Sequence, residues 1–291
     1  MLKKAELFSC FSVFSVILFL SVFSCNIFPF NKSSKNILST NNEREVSFDT
    51  VEREKKMKVI GLLGGITWHS TADYYKQINQ LINEKLGGFH SAHILIYSVD
   101  FAVIERAQRE GRWDDIAGML TEAAKSLKAA GADFLIISAN TIHKVAPQIE
   151  SGSALPILHI ADATGRAVKK QGLKTVGLLG TRFTMKEDFL SGRLRERFGL
   201  EVLVPEEKDQ EIVNTIIFAE LAKGIVSEPS RQAYVKVINR LVERGAEGII
   251  LGCTEIPQLI RPDDVDIPLF DTTRFHVEAA VEFALSGGSE L

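Results

Sequence analysis

This chain offers few ready-made chemistries. Of its 291 residues only three are cysteine, and Cys10 and Cys25 lie in or at the end of an apolar leader, leaving Cys253 alone in the remainder. With no second cysteine past Cys25, an internal disulfide framework is excluded there. No charge of one sign dominates, since 34 basic residues are interspersed with 37 acidic ones and form no basic stripe, so nothing suggests a nucleic-acid partner. The glycine-rich turns have neither G-x-G-x-x-G nor the P-loop lysine, which argues against dinucleotide and nucleotide binding. No two histidines have the helical spacing of a metal site, and the absence of Gly-x-Ser-x-Gly argues against a serine hydrolase. His69, His143, His159 and His276 read as satisfied core or cap residues, and Trp68 and Trp113 as covers of a core edge. A small-molecule ligand is the remaining expectation.

The N-terminal segment has the layout of a secretory signal peptide: Lys3 and Lys4, an apolar run from Leu7 to Phe23, then Ser24-Cys25. A small residue before a cysteine resembles a lipoprotein cleavage site, with Cys25 lipidated, so residues 1–25 are expected to be the signal and 26–56 a polar linker. At about 17 residues the run is at the short end for a membrane span. The expectation is an exported protein with a lipid anchor, or a cytoplasmic one if translation starts at Met57.

From Met57 onward, apolar β-branched runs alternate with segments of helical spacing. Strands are predicted over 58–63, 93–99, 134–137 and 156–160, and helices over 71–86 and 113–130, with another helix ending near Gln171-Gly172. The pattern then begins again: Val176-Gly177-Leu178-Leu179-Gly180 repeats Ile60-Gly61-Leu62-Leu63-Gly64, and residues 245–255 lie without a gap over 131–141 at an offset of 114. Alternating strands and helices predict parallel sheets, and the half-chain period predicts two pseudo-symmetric doubly wound α/β lobes with an active site in the cleft between them. Lobe 1 is expected at 57–165, completed by 269–291, and lobe 2 at 166–268.

Cys253 follows the apolar strand Gly248–Leu251, at the carboxyl edge where open α/β folds keep their ligands. A buried free cysteine can also be plain packing, but the repeat sets Cys253 opposite Ala139 on facing walls. Such walls suit proton removal from one side of a carbon and its return from the other, with a thiolate as base if backbone N–H groups and helix N-termini lower its pKa. Gly65, Thr67, Asn140, Thr141, Thr181 and Thr254, with Glu255 beside Cys253, place hydroxyls, an amide and N–H groups at loop-to-helix junctions that could hold a carboxylate. Each alone could be a helix cap; their clustering at equivalent ends of the repeats favours a substrate site.

Several collinear motifs carry a resemblance over Met57 to about Leu285: Gly64-Gly65-Ile66-Thr67-Trp68-His69-Ser70-Thr71, Ser98-Val99-Asp100-Phe101, Asn140-Thr141-Ile142-His143-Lys144, Leu178-Leu179-Gly180-Thr181-Arg182-Phe183-Thr184-Met185 and Gly252-Cys253-Thr254-Glu255-Ile256. The chain resembles the aspartate/glutamate/hydantoin racemase superfamily, in its cofactor-independent amino-acid racemase branch. The resemblance implies an isomerase of an amino acid, free of pyridoxal phosphate and metal and usually a homodimer, in which Cys253 is one acid/base. It also implies a second acid/base directly before Asn140, normally cysteine and sometimes threonine. Here that residue is Ala139, which can neither take nor give a proton. Ser138 is a candidate stand-in, although neighbouring strand residues point to opposite faces; a water held by Asn140 or Thr141 is another. Single-cysteine decarboxylases of the same superfamily, and a carboxylate-binding protein that has lost catalysis, are the alternative readings.

Overall fold

The computed structural model describes residues 57–286, and the expected signal, Cys25 and linker lie outside them. Strands β1 (Ile60–Gly64), β2 (Ile94–Ser98) and β3 (Phe134–Ile137) form a parallel sheet of order β2-β1-β3. A second parallel sheet has the order β5-β4-β6-β7, from β4 (Thr175–Gly180), β5 (Glu201–Leu203), β6 (Ile249–Gly252) and β7 (Leu269–Asp271). Strands β1, β3 and β6 are buried at every residue, which is why they read as unbroken apolar runs.

Helices make the crossovers. In α1 (Trp68–Leu86) Tyr74, Ile78 and Ile82 are buried at four-residue spacing, so one apolar stripe docks on the sheet. The helix ends at Gly87, whose φ of 75° suits glycine. Helices α2 (Phe101–Arg109) and α3 (Trp113–Ala129) connect β2 to β3. Past the 3₁₀ turn Thr141–Val145 come α4 (Ala146–Ser153) and α5 (Ile160–Lys170). The second half adds α6 (Arg182–Lys186), α7 (Asp188–Phe198), α8 (Glu207–Ala219), α9 (Glu228–Glu243), α10 (Ile256–Leu259) and α11 (Thr272–Leu285).

The internal repeat is visible in a backbone tie. At the head of β3 the Asp133 carboxylate accepts from Val59 N at 2.6 Å; 114 residues later, at the head of β6, Glu247 accepts from Lys174 N at 2.6 Å and Thr175 N at 3.0 Å. Each acid fixes the start of the strand beside it, so the two lobes share register as well as sequence.

Two expectations are corrected. Residues 156–160 form no strand: Leu135 N donates to Pro156 O and Leu158 N to Leu135 O, a single bridge, before His159 caps α5 by accepting from Ala161 N. The lobe boundaries also move, because α5 and β7 belong with the second sheet, whereas α11 covers the first. Ile160, Ala161 and Val168 of α5 pack with Val176, Leu178, Ile250 and Phe270 of the second sheet, and β7 pairs with β6 rather than completing lobe 1. Val277, Ala280 and Val281 of α11 cover Ile60, Leu62, Phe134 and Ile136 of the first sheet. Each fully buried leucine or isoleucine among them contributes about 2–5 kcal/mol against truncation to alanine, so α5 and α11 bind the lobes to each other as well as covering them.

Candidate active site

The carboxyl ends of β3 and β6 open onto one cleft of about 530 Å³, including its solvent-facing part. Ala139 lines it from the first lobe and Cys253 from the second, as the repeat requires. Thr67, Asn140, Thr141, Thr181, Thr254 and Glu255 join them, so most of the residues singled out in sequence meet here.

Two do not. Ser138 is fully buried behind the wall, where its hydroxyl meets Thr71 Oγ1 at 3.1 Å and reaches Leu63 O at 3.4 Å. Strand alternation sends its side chain to the face opposite Ala139, so it is no stand-in acid/base at the cleft. Gly65 is a close crossing rather than a ligand cradle: an added Cβ would come 2.1 Å from Val99 O, and its N–H already donates to Thr71 Oγ1 at 2.8 Å.

Glu255 is the hub of the polar side. Its Oε2 accepts from the Cys253 thiol at 3.0 Å and from the Thr254 hydroxyl at 2.7 Å, and its Oε1 accepts from Thr67 Oγ1 at 3.4 Å. Burial, followed by the negative charge of Glu255, pushes the Cys253 thiol well above the ordinary cysteine range. The backbone N–H groups of Glu255 and Thr254 pull the other way and are outweighed, so the expected lowering does not occur. Cys253 rests as a neutral thiol with its proton shared toward a carboxylate. Both Thr254 and Glu255 also line a second, polar cavity with Ser70, Asp73 and Asp271, which sets the carboxylate between two openings.

Opposite stands a wall of neutral groups. Asn140 Nδ2 donates to Thr272 Oγ1 at 3.0 Å, and Thr272 donates to Leu251 O at 2.9 Å, which fixes the amide. Asn140 Oδ1 is buried and has no partner among the described residues, a vacant acceptor on a cleft residue. The hydroxyls of Thr141 and Thr181 lie 3.0 Å apart and each reaches Thr184, at 3.4 and 3.1 Å, so a three-hydroxyl web links the lobes. Thr67 and Thr181 also cap α1 and α6, so cap and site roles coincide.

Beneath Ala139 the histidines are structural. His143 Nε2 accepts from Ile160 N at 3.3 Å, which leaves Nδ1–H to donate to Ala139 O at 2.9 Å. His276 bridges Tyr74 and Leu158 O, and burial keeps His143, His159 and His276 below the ordinary histidine range. Among the described residues no group of three or more His, Cys, Asp or Glu is arranged to hold a metal ion.

Sequence reasoning missed the largely apolar side of the cleft: Phe101 from α2, Ile217 and Phe218 from α8, and Ala222, with the polar Gln108 of α2 among them. Phe101 at least sat in a recognised motif; the α8 residues had no local signal. Thr184 could have been found as the third residue after the Thr181 cap.

A family model described as Asp/Glu/Hydantoin racemase matches residues 63–280. The chain belongs to this family. A crystal structure of a candidate Asp/Glu racemase from Yersinia pestis is 52% identical, with a TM-score of 0.75 over 79% of this chain and 100% of that one. An aspartate racemase homologue from Pyrococcus horikoshii OT3 is 37% identical, with a TM-score of 0.69 over 78% and 99% of the respective chains. The broad specificity amino-acid racemase RacX of Bacillus subtilis (strain 168) is 24% identical over 78% of this chain and 99% of its own. The two-lobed parallel α/β architecture is therefore that of the racemase family.

Proposed function

We propose that this family member is an amino-acid racemase on the aspartate/glutamate racemase plan, working without pyridoxal phosphate, with Cys253 as acid/base on one face of the α-carbon. The observation that carries the reading is the Cys253 thiol on the cleft wall with its proton 3.0 Å, sulfur to oxygen, from the Glu255 carboxylate. In one direction the thiol proton passes to Glu255, and the thiolate takes the α-proton as the C–H electron pair stays on carbon. A proton then returns to that carbon from the opposite face. Ala139 supplies none, so in this reading it comes from a water held at Asn140 and Thr141. The vacant Asn140 Oδ1 suits an ammonium N–H, and the threonine hydroxyls suit the α-carboxylate.

Ala139 itself favours a second reading, a single-thiol decarboxylase. Loss of carbon dioxide from a disubstituted malonate leaves an enolate, which the neutral Cys253 thiol protonates from one side only. One experiment separates the two: α-proton exchange in deuterated water, followed by ¹H NMR on both enantiomers of an amino-acid panel, beside turnover of a malonate panel. Wild type is expected to exchange amino acids and Cys253→Ala not to; exchange seen only in Ala139→Cys sinks the racemase reading. We further propose a homodimer exported and anchored through a lipid on Cys25. A soluble native form beginning at Met57 would refute the anchor, and a single-chain mass in sedimentation the dimer.

A further inference from the structure

Resting on the amino-acid reading of the cleft, we infer that the site is built for an amino acid whose side chain carries no charge, with Phe101, Phe218 and Ala222 as specificity-determining residues. Among the described residues, Glu255 is the one charged side chain in the lining of the cleft, and no lysine, arginine or histidine joins it. The walls that would face a substrate side chain are Phe101 from α2, Ile217 and Phe218 from α8, and Ala222 from the 3₁₀ turn Leu221–Lys223, with Gln108 as a neutral polar group among them.

A zwitterionic amino acid brings compensating charges and enters with none in excess. A second carboxylate adds an uncompensated negative charge to an apolar wall in a site whose own charge, on Glu255, has the same sign. All amino acids share the cost of desolvating the α-carboxylate and ammonium, so it cancels in the comparison; the side-chain carboxylate does not.

Cations do exist nearby, and they are occupied. Arg109 and Arg182 line an adjoining outer cavity that shares Gln108 and Phe218 with the cleft. Arg109 lies 3.6 Å from Glu105 and Arg182 3.0 Å from Glu211, and both guanidinium side chains are more than half exposed, at 69% and 53%. Gln108 and Phe218 line both cavities, and neither arginine lines the cleft. In water and already paired, they offer little to a short acidic side chain.

The test is calorimetric titration of wild type with near-isosteric pairs, L-asparagine against L-aspartate and L-glutamine against L-glutamate, with L-2-aminobutyrate as the alkyl member. The uncharged ligands are expected to bind about tenfold or more tightly than their acidic counterparts. Phe218→Arg, at a position already 41% exposed, should strengthen L-glutamate binding about tenfold and leave L-2-aminobutyrate unchanged; Ala222→Arg repeats the test should the first variant fold poorly. Acids that bind as tightly as their amides, or a panel in which nothing binds, overturn the inference. Binding is read without turnover, so a protein that binds the uncharged ligands yet shows no α-proton exchange refutes the racemase reading and leaves this one standing.

Discussion

Replacing Glu255 by glutamine should push the two properties of Cys253 in opposite directions. The carboxylate accepts the thiol proton at 3.0 Å and, after burial, is the main cause holding Cys253 in its neutral form. A hydrogen bond to a charged group is worth roughly 1.5–3 kcal/mol, and each 1.4 kcal/mol is about tenfold, so losing the charge raises the thiolate fraction at fixed pH by about 10- to 100-fold. Burial remains, so the thiol still titrates above the ordinary cysteine range. Alkylation by iodoacetamide follows the thiolate and should accelerate by that factor at pH 8, with Cys253→Ser giving the background. Meanwhile α-proton exchange should fall by about 10²–10⁴, because the acceptor that relieves the thiol of its proton is gone. An alkylation rate that stays level or drops in Glu255→Gln would refute the placement of the proton. Faster alkylation with unchanged exchange would make Glu255 a bystander to turnover.

Three further outcomes follow from the same structure. Gly65→Ala should destabilise the fold by about 3 kcal/mol, because the residue sits at φ 90° and its Cβ would meet Val99 O at 2.1 Å; a melting temperature within a degree or two of wild type would contradict that. Thr272→Val removes the acceptor that fixes Asn140 and should weaken amino-acid affinity about tenfold while stability falls by only about 1 kcal/mol, read by calorimetry beside urea unfolding. Acid should also destabilise the protein through its histidines. His276 is held down at about 4 by burial, against an ordinary value near 6.5, and His143 and His159 are lowered as well. The unfolded chain therefore binds these protons first, so the stability they protect is whole above about pH 6.5 and is lost as pH falls from there toward about 4. A urea midpoint unchanged from pH 7 to 4.5 would sink this, as would an undiminished slope in His276→Asn.

The cleft was legible in sequence because its two edges are copies. Gapless correspondence of residues 131–141 with 245–255 sets Ala139 and Cys253 on opposing walls, and the tie of Asp133 and Glu247 to neighbouring strands shows that the copies share register. What escaped notice has physical reasons. Helix α5 is apolar on one face, and nothing local tells which sheet it will cover, so its packing on the second sheet is a tertiary decision. Ser138 and Ala139 are equally plausible as letters; only the alternation of side chains across a strand sends one behind the wall and the other into the cleft. The Cys253 thiol was expected to be acidic because its backbone surroundings favour a thiolate. Burial depth and the aim of the Glu255 side chain decide otherwise, and neither is written in the residues two positions apart.

The same offset of 114 sharpens what the missing thiol means. It lays Cys253-Thr254-Glu255 over Ala139-Asn140-Thr141, so the first lobe lacks both members of the thiol–carboxylate pair, not the thiol alone. In their places stand a methyl group, an amide with a vacant acceptor and a hydroxyl tied to Thr181. These groups bind well and transfer protons poorly. The second lobe keeps a thiol whose proton is already directed at a carboxylate, and that carboxylate lines a second cavity from which solvent can resupply it. On the proposed mechanism the cleft divides its labour, one edge holding the substrate and the other moving the proton. On that mechanism, α-proton exchange with solvent should be faster for the enantiomer whose α-hydrogen faces Cys253, while racemisation, whose equilibrium constant is one, runs at equal kcat/KM both ways and is limited by water at the Ala139 face.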